Sequence, residues 1–214
     1  MPPHYNPAVP DTTPSHPEPL SRPALKLVVI LGTVRSDRKG IRAARFVERE
    51  LRERGHQVTL VDPMVEQLPL LDRMYKEYEP RTAPAVLERL AATYRAADGF
   101  VIVSAEYNHS IPPALSNLLD HFLEEYFFRP SAIVCYSAGA FGGVRAMVQL
   151  RAMLAELGMP SISSHFPIPA IESALDEEGT SPDGTLRDRF RRFASELEWY
   201  ADALRVARRA GTPY

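Results

Sequence analysis

The sequence predicts an α/β fold, a doubly wound parallel sheet with helices on both faces. Short apolar runs alternate along the chain with segments long enough for helices, and this alternation is typical of βαβ crossovers. The first run, residues 25–31, is almost wholly apolar and ends at Gly32, which favours a strand covered on both faces. With 214 residues, 45% of them hydrophobic, the chain can bury the core of one compact domain.

The other elements follow in order. A helix is expected over residues 41–54, closed by Gly55, and a short second strand over 58–61. Residues 86–97 favour a helix, and the run Gly-Phe-Val-Ile-Val-Ser at 99–104 favours the third strand. The remaining elements are a helix at 114–126, a strand at 131–137, a helix at 144–157, a short strand at 161–166 and a final helix at 183–208.

Residues 1–24 differ in composition from the rest of the chain. Eight prolines, at positions 2, 3, 7, 10, 14, 17, 19 and 23, fall in this segment, which has almost no large aliphatic side chains. Such a segment cannot bury enough surface to offset the entropy of ordering, so we expect a flexible or polyproline-II-like tail. A strap across a neighbouring subunit is the alternative. The folded domain is then expected over residues 25–208, with a C-terminal tail at 209–214.

Charge and cysteine content narrow the partners and the compartment. A formal net charge of −2 and a pI of about 6.3 give no reason to expect nucleic acid or an acidic membrane surface as a partner. One cysteine, Cys135, allows neither an intramolecular disulfide nor a multi-cysteine metal site. Because no apolar run approaches a membrane span and no secretory signal is evident, we expect a cytoplasmic protein without bound metal.

Ligands of such sheets bind outside the carboxyl ends of the strands, so the loops after strands one, three and four are the candidates. The first loop, residues 32–40, leads from a buried strand into a helix N-terminus, where free N–H groups and the helix dipole favour an anion. Hydroxyl groups and positive charges accompany them, and neither the Walker nor the G-x-G-x-x-G pattern is present. A monophosphate fits these groups, although a turn with solvated charges remains the alternative.

The second loop, residues 104–113, is polar and contains two prolines. It offers amide, carboxylate and phenol groups on a stiff segment that could hold the edge of a flat heteroaromatic ring. A plain loop that caps the following helix would have a similar composition.

The third loop, residues 136–145, contains three glycines, which let the backbone approach a ligand closely. A serine hydrolase elbow at Ser137 is disfavoured because the G-x-S-x-G pattern would need glycine where Cys135 stands. His109 and His165 are more often loop residues than catalysts, and Cys135 is most simply a buried small hydrophobe.

Taken together, the three loops resemble the NADPH-dependent FMN reductase family of flavodoxin-like proteins over about residues 25–200. The family's first loop, G-S-x-R, is matched by residues 32–35, and its third, S-x-G-x-x-G-G, by residues 137–143. Its second, P-E-Y-N-x-S-x-P-x-x-L-K-N-x-x-D, is long and specific, and residues 105–120 match it with Ala105 for proline and Ser116 for lysine. The resemblance implies a flavodoxin-like fold with five parallel strands.

The resemblance also implies roles for individual residues. Thr33, Arg35, Arg38, Lys39 and Gly40 would hold the FMN phosphate. Ala105, Glu106, Tyr107 and Asn108 would lie along the isoalloxazine ring, largely through backbone groups, and Ser137, Gly139 and Gly142 would approach its pyrimidine edge. Asn117 and Asp120 would fix the loop and the following helix rather than touch flavin.

The implied activity is an oxidoreductase that passes hydride from NADPH or NADH, through bound FMN, to a small acceptor such as a flavin or quinone. No essential acid–base side chain is expected, and the family implies a homodimer or homotetramer. The sequence leaves other acceptors open, including azo dyes, chromate and organoarsenicals. A flavodoxin-type electron carrier would usually be strongly acidic, which a net charge of −2 does not favour. A flavin-free regulatory protein would not need the phosphate loop.

Overall fold

The computed structural model describes residues 23–214. The prediction of a flexible tail over residues 1–24 therefore falls, apart from its last two residues, outside the described part of the chain. Within residues 23–214, none of the helices is both long and apolar enough to cross a membrane.

Five parallel strands form one sheet in the order β2-β1-β3-β4-β5. Their bounds are β1 Lys26–Leu31, β2 Gln57–Val61, β3 Gly99–Ala105, β4 Ser131–Tyr136 and β5 Ser161–Ile168. This order is that of flavodoxin-like sheets, in which the direction of winding reverses beside β1. The predicted five-stranded, doubly wound parallel sheet is confirmed, and the carboxyl ends of β1, β3 and β4 lie side by side.

Helices cover both faces of the sheet, as predicted. On one face α1 and α7 pack on alternate residues of β1, such as Leu27 and Val29. On the other face α3, α4 and α5 pack on the intervening residues Val28 and Ile30. The helices are α1 Gly40–Glu53, α2 Pro63–Glu66, α3 Ala85–Ala96, α4 Pro113–Asp120, α5 Val144–Glu156, α6 Ile171–Ala174 and α7 Thr185–Ala210.

The predicted helix at 114–126 is too long. The α-helix ends at Asp120, and Tyr126 lies instead in a 3₁₀ turn, Glu124–Tyr126. Leu123 has φ −149° and ψ −68°, which is not helical backbone. The interruption lets two rings pack against Tyr94 in the buried aromatic cluster. Phe122 packs edge-on and Tyr126 packs at a tilt. Tertiary packing therefore overrides a helical pattern that is local in sequence.

Two other predicted elements, β5 and α7, differ from the prediction by two residues at a boundary, and the remaining predicted elements by at most one. Strand β5 continues two residues beyond 166, because Phe166 and Ile168 stay in register with Val134 and Tyr136 of β4. Proline at position 167 is compatible with this strand, which lies at the edge of the sheet. Helix α7 begins two residues later and ends two residues later than the predicted 183–208.

Candidate functional site

The loops after β1, β3 and β4 meet at the carboxyl edge of the sheet and enclose a pocket. The predicted site residues that line it are Thr33, Arg35, Arg38, Lys39, Ala105, Glu106, Tyr107 and Ser137. Asp37, Tyr136, Ala138 and Ile171 line it as well. The predicted residues Gly40, Asn108, Gly139 and Gly142 are not part of this lining.

The first loop carries an unsatisfied polar group. Thr33 is 1% exposed, and its hydroxyl oxygen has no hydrogen-bond partner among the described residues. Directly after the loop, α1 begins without a side-chain cap at Lys39 and without an acidic residue in its first turn. A buried hydroxyl group and uncapped helix N–H groups are the kind of donors that an anion satisfies.

The positive charges of this loop are not equivalent. Both terminal nitrogens of Arg38 bond to the carboxylate of Asp62, and one of them also donates to the Thr33 carbonyl oxygen at 3.1 Å. Lys39 Nζ lies 2.9 Å from the carboxylate of Asp37. Arg35 is exposed and forms no ion pair with any residue in the described range 23–214. Arg35 is therefore the cation of this loop whose charge is most available to a bound anion, while Arg38 holds the loop in place.

The second loop is tied to α5. The Glu106 carboxylate accepts from the backbone N–H groups of Arg145 at 3.0 Å and Ala146 at 3.3 Å. Burial acts to raise the pKa of Glu106, but these N–H groups and the Arg145 guanidinium lower it below its ordinary value overall. Glu106 is thus an ionised cap for α5 as well as a pocket residue.

A tight turn follows Glu106. Tyr107 and Ser110 exchange backbone hydrogen bonds of 3.0 and 2.9 Å. Asn108 and His109 between them adopt positive φ of 51° and 63°, a conformation that non-glycine residues seldom adopt. The turn points Asn108 into solvent and keeps Tyr107 in the pocket wall. The loop therefore contains a hydrogen-bonded turn, and its stiffness stays a prediction.

The third loop is closed by its own serine. Ser137 Oγ donates to the Gly139 carbonyl oxygen at 2.8 Å and accepts from the Gly142 N–H at 2.9 Å. The Gly142 N–H group is therefore occupied within the loop. Gly142 and Gly143 have φ of 64° and 77°, and a Cβ on Gly143 would lie 2.9 Å from the Tyr136 carbonyl oxygen. These two glycines are required by the shape of the loop.

Tyr136 is the principal pocket residue that sequence reasoning did not single out. It ends β4, pairs with Ala105 of β3, and is 6% exposed. Its hydroxyl group reaches the first residue of α1, since a Cβ on Gly40 would overlap that oxygen and would lie 2.5 Å from Cζ. The alternation of side chains along β4 could have indicated which face Tyr136 takes, but not that it reaches Gly40.

Residues outside the pocket have structural partners. Asn117 donates to the Pro69 carbonyl oxygen and accepts from the Leu71 N–H, both at 2.8 Å, so it fixes the segment after α2. Cys135 is buried, and burial raises the pKa of its thiol to about 12. Within residues 23–214 no group of three or more His, Cys, Asp or Glu side chains could hold a metal ion.

A larger but shallower groove lies elsewhere, between β5 and α7. It is lined in part by Ser164, His165, Arg189 and Glu196. Glu196 already accepts from the Ser163 and Ser164 backbone N–H groups there. The loops at the carboxyl ends of β1, β3 and β4 do not contribute to it, so the smaller pocket is the candidate for chemistry.

Comparisons with known proteins identify the family of the chain. Residues 25–172 match the family model of NADPH-dependent FMN reductases. A quinone reductase of Escherichia coli strain K12 is 32% identical over 134 residues, which are 61% of this chain and 69% of that protein. An NADPH azoreductase of Bacillus sp. strain OY1-2 is 25% identical over 179 residues, 83% of this chain and 96% of its own.

Solved structures show the same fold. A flavoenzyme NAD(P)H:(acceptor) oxidoreductase from Paracoccus denitrificans superposes with a TM-score of 0.61 at 20% sequence identity, covering 85% of this chain and 95% of its own. The family match spans more than half of the chain and includes all three loops of the pocket. This chain belongs to the NADPH-dependent FMN reductase family, flavodoxin-like oxidoreductases that use FMN as cofactor and NAD(P)H as co-substrate.

Proposed function

We propose that the pocket at the carboxyl ends of β1, β3 and β4 holds FMN, with the phosphate at α1, and that the protein reduces quinones or azo compounds with NAD(P)H. The observation that carries this placement is the buried Thr33 hydroxyl group, which has no partner within residues 23–214, beside the uncapped start of α1. Bound FMN would supply the capacity to take up hydride from a reduced nicotinamide and to release electrons to the acceptor.

The chain's own residues divide the binding between two regions. Thr33, Arg35 and the first N–H groups of α1 would bind the phosphate, while the Arg38–Asp62 pair holds the loop in position. Ala105, Glu106 and Tyr107 would line one side of the flavin ring and Ser137 the other. Because Glu106 is anchored on α5, the wall beside the ring is held in place before a ligand binds.

Quinones and azo compounds are favoured as acceptors by the names of the relatives, a quinone reductase and an azoreductase. Both are flat, conjugated molecules that can stack on an exposed flavin face.

We also propose a homodimer or homotetramer, and light scattering after gel filtration would measure the mass of the assembly. A cytoplasmic location and the absence of a nucleic-acid partner stay predictions, supported by a single cysteine and a net charge of −2.

The direct test is anaerobic reduction of the purified protein. The protein is isolated without added flavin, its visible flavin absorption is recorded, and NADPH or NADH is then added without oxygen. Bleaching of the absorption, followed by its return on addition of a benzoquinone, is the expected result. Bound flavin that neither nucleotide bleaches would contradict the reductase and favour an electron carrier. A protein that binds no FMN even on reconstitution would contradict the site.

A further inference from the structure

Tyr136 reaches into the phosphate end of the pocket from a different loop. It ends β4, whereas Thr33 follows β1 and Gly40 begins α1, yet all three meet at one point. The phenol ring covers the first residue of α1 so closely that a methyl group on Gly40 would overlap its hydroxyl oxygen. Position 40 therefore accommodates only glycine while Tyr136 is present, unless the tyrosine moves.

The Tyr136 and Thr33 hydroxyl groups lie close enough for Thr33 to lower the pKa of the phenol, but their contact falls short of hydrogen-bond geometry, and Thr33 Oγ1 has no partner among residues 23–214. Both side chains are more than nine-tenths buried and line the same pocket. The buried Thr33 hydroxyl group, the Tyr136 hydroxyl group of the same pocket and the uncapped start of α1 are donors that one acceptor with several oxygens would satisfy together. A phosphate group has such oxygens.

We infer that the Tyr136 hydroxyl group donates a hydrogen bond to the phosphate of the bound flavin nucleotide. This inference rests on the proposed function and adds a phosphate donor from the loop after β4 to those of the loop after β1. Burial raises the pKa of Tyr136 well above its ordinary value, an effect that Thr33 partly offsets. The phenol therefore stays protonated at neutral pH and remains a donor.

The test compares FMN with riboflavin, which lacks the phosphate, in the Tyr136→Phe variant. Dissociation constants are measured from the quenching of flavin fluorescence with flavin-free protein. Phenylalanine keeps the ring that covers Gly40, so the packing at α1 is preserved. We expect about tenfold weaker FMN binding, the scale of one hydrogen bond to a charged group, and riboflavin binding unchanged within about twofold.

Tyr94→Phe is the matched control. Tyr94 is a fully buried tyrosine whose hydroxyl group also lacks a partner among the described residues, but it lies in the cluster on the opposite face of the sheet. It should change the affinity for neither flavin.

Equal losses of FMN and riboflavin affinity in Tyr136→Phe would overturn the inference, because the hydroxyl group would then act on the ring or on pocket shape. Unchanged FMN affinity would overturn it too. Wild-type protein that binds neither flavin would instead overturn the proposed function itself.

Discussion

Glu106 and Arg145 join the end of β3 to the start of α5. The carboxylate of Glu106 accepts from the Arg145 backbone N–H at 3.0 Å, and the Arg145 guanidinium lies 3.3 Å from the other carboxylate oxygen. The residue that borders the pocket thus also caps the helix that follows the glycine-rich loop. Two of the three pocket loops are held together by this single side chain.

Glu106→Ala should therefore destabilise the fold as well as the pocket wall. The N–H groups of Arg145 and Ala146 lose their acceptor, and loss of a cap of this kind costs about 1 to 2 kcal/mol. Urea unfolding of flavin-free protein measures this loss without a contribution from FMN. Glu106→Gln keeps one acceptor oxygen, so it should lose less. Equal stability of Glu106→Ala and wild type would show that the cap contributes nothing.

Arg35→Ala should weaken FMN binding without weakening riboflavin binding. Arg35 lines the pocket and, among the described residues, has no carboxylate partner to satisfy. Loss of one charge-assisted hydrogen bond corresponds to about 1.5 to 3 kcal/mol, roughly 10- to 150-fold in the FMN dissociation constant. Arg191→Ala, at an exposed position of α7, controls for loss of one positive charge. An FMN affinity equal to that of wild type would contradict the phosphate assignment.

The fold can be predicted well from the sequence because the patterns that indicate strands and helices involve residues close together in the chain. Apolar runs, helix-length segments and glycines identify the five strands and the main helices within a few residues. The helix at 114–126 was wrong because the reason for its interruption, packing of Tyr126 on Tyr94, comes from a distant part of the chain.

The candidate site could be predicted as three loops but not as a set of contacts. The three loops carry recognisable residues, and their meeting follows from the strand order. Whether a given arginine forms an ion pair depends on tertiary neighbours. The sequence could not show that Asp62 pairs with Arg38, while Arg35 has no ion pair within the part of the chain that the structure describes. Tyr136 was missed for the same reason, since its proximity to Gly40 arises between different strands.

Asp62→Asn should destabilise the protein more than removal of a surface carboxylate. Asp62 is largely buried, pairs with Arg38, and accepts from the Met64 N–H at 2.9 Å. The amide leaves the Arg38 charge without its partner, so we expect a loss on the order of 2 kcal/mol in urea unfolding. Asp188→Asn breaks the exposed pair with Arg191 and should cost about 0.5 kcal/mol or less. Similar losses in the two variants would contradict the structural role given to the Arg38–Asp62 pair.

Glu198 should make the stability of the protein depend on acidic pH. Its carboxylate bonds to Arg54 at 2.8 Å and to His56 at 2.9 Å, and the other ring nitrogen of His56 accepts from the N–H of Leu25, the residue before β1. Burial acts to raise the pKa of Glu198, but Arg54 and His56 lower it overall, from 4.5 to about 2. A carboxyl group with a lower pKa in the folded than in the unfolded chain stabilises the fold only where it is ionised.

The contribution of Glu198 is therefore fully present above its ordinary pKa of 4.5 and is lost as the pH falls towards 2. At neutral pH it is on the order of 3 kcal/mol. Glu198→Gln should be less stable than wild type at pH 7 by an amount of this order, and the difference should shrink at about pH 3. Urea unfolding at both pH values measures it, with Glu177→Gln at an exposed position as control. A difference that stays constant between the two pH values would mean that Glu198 acts through packing alone, and that its charge does not hold Arg54 and His56 in place.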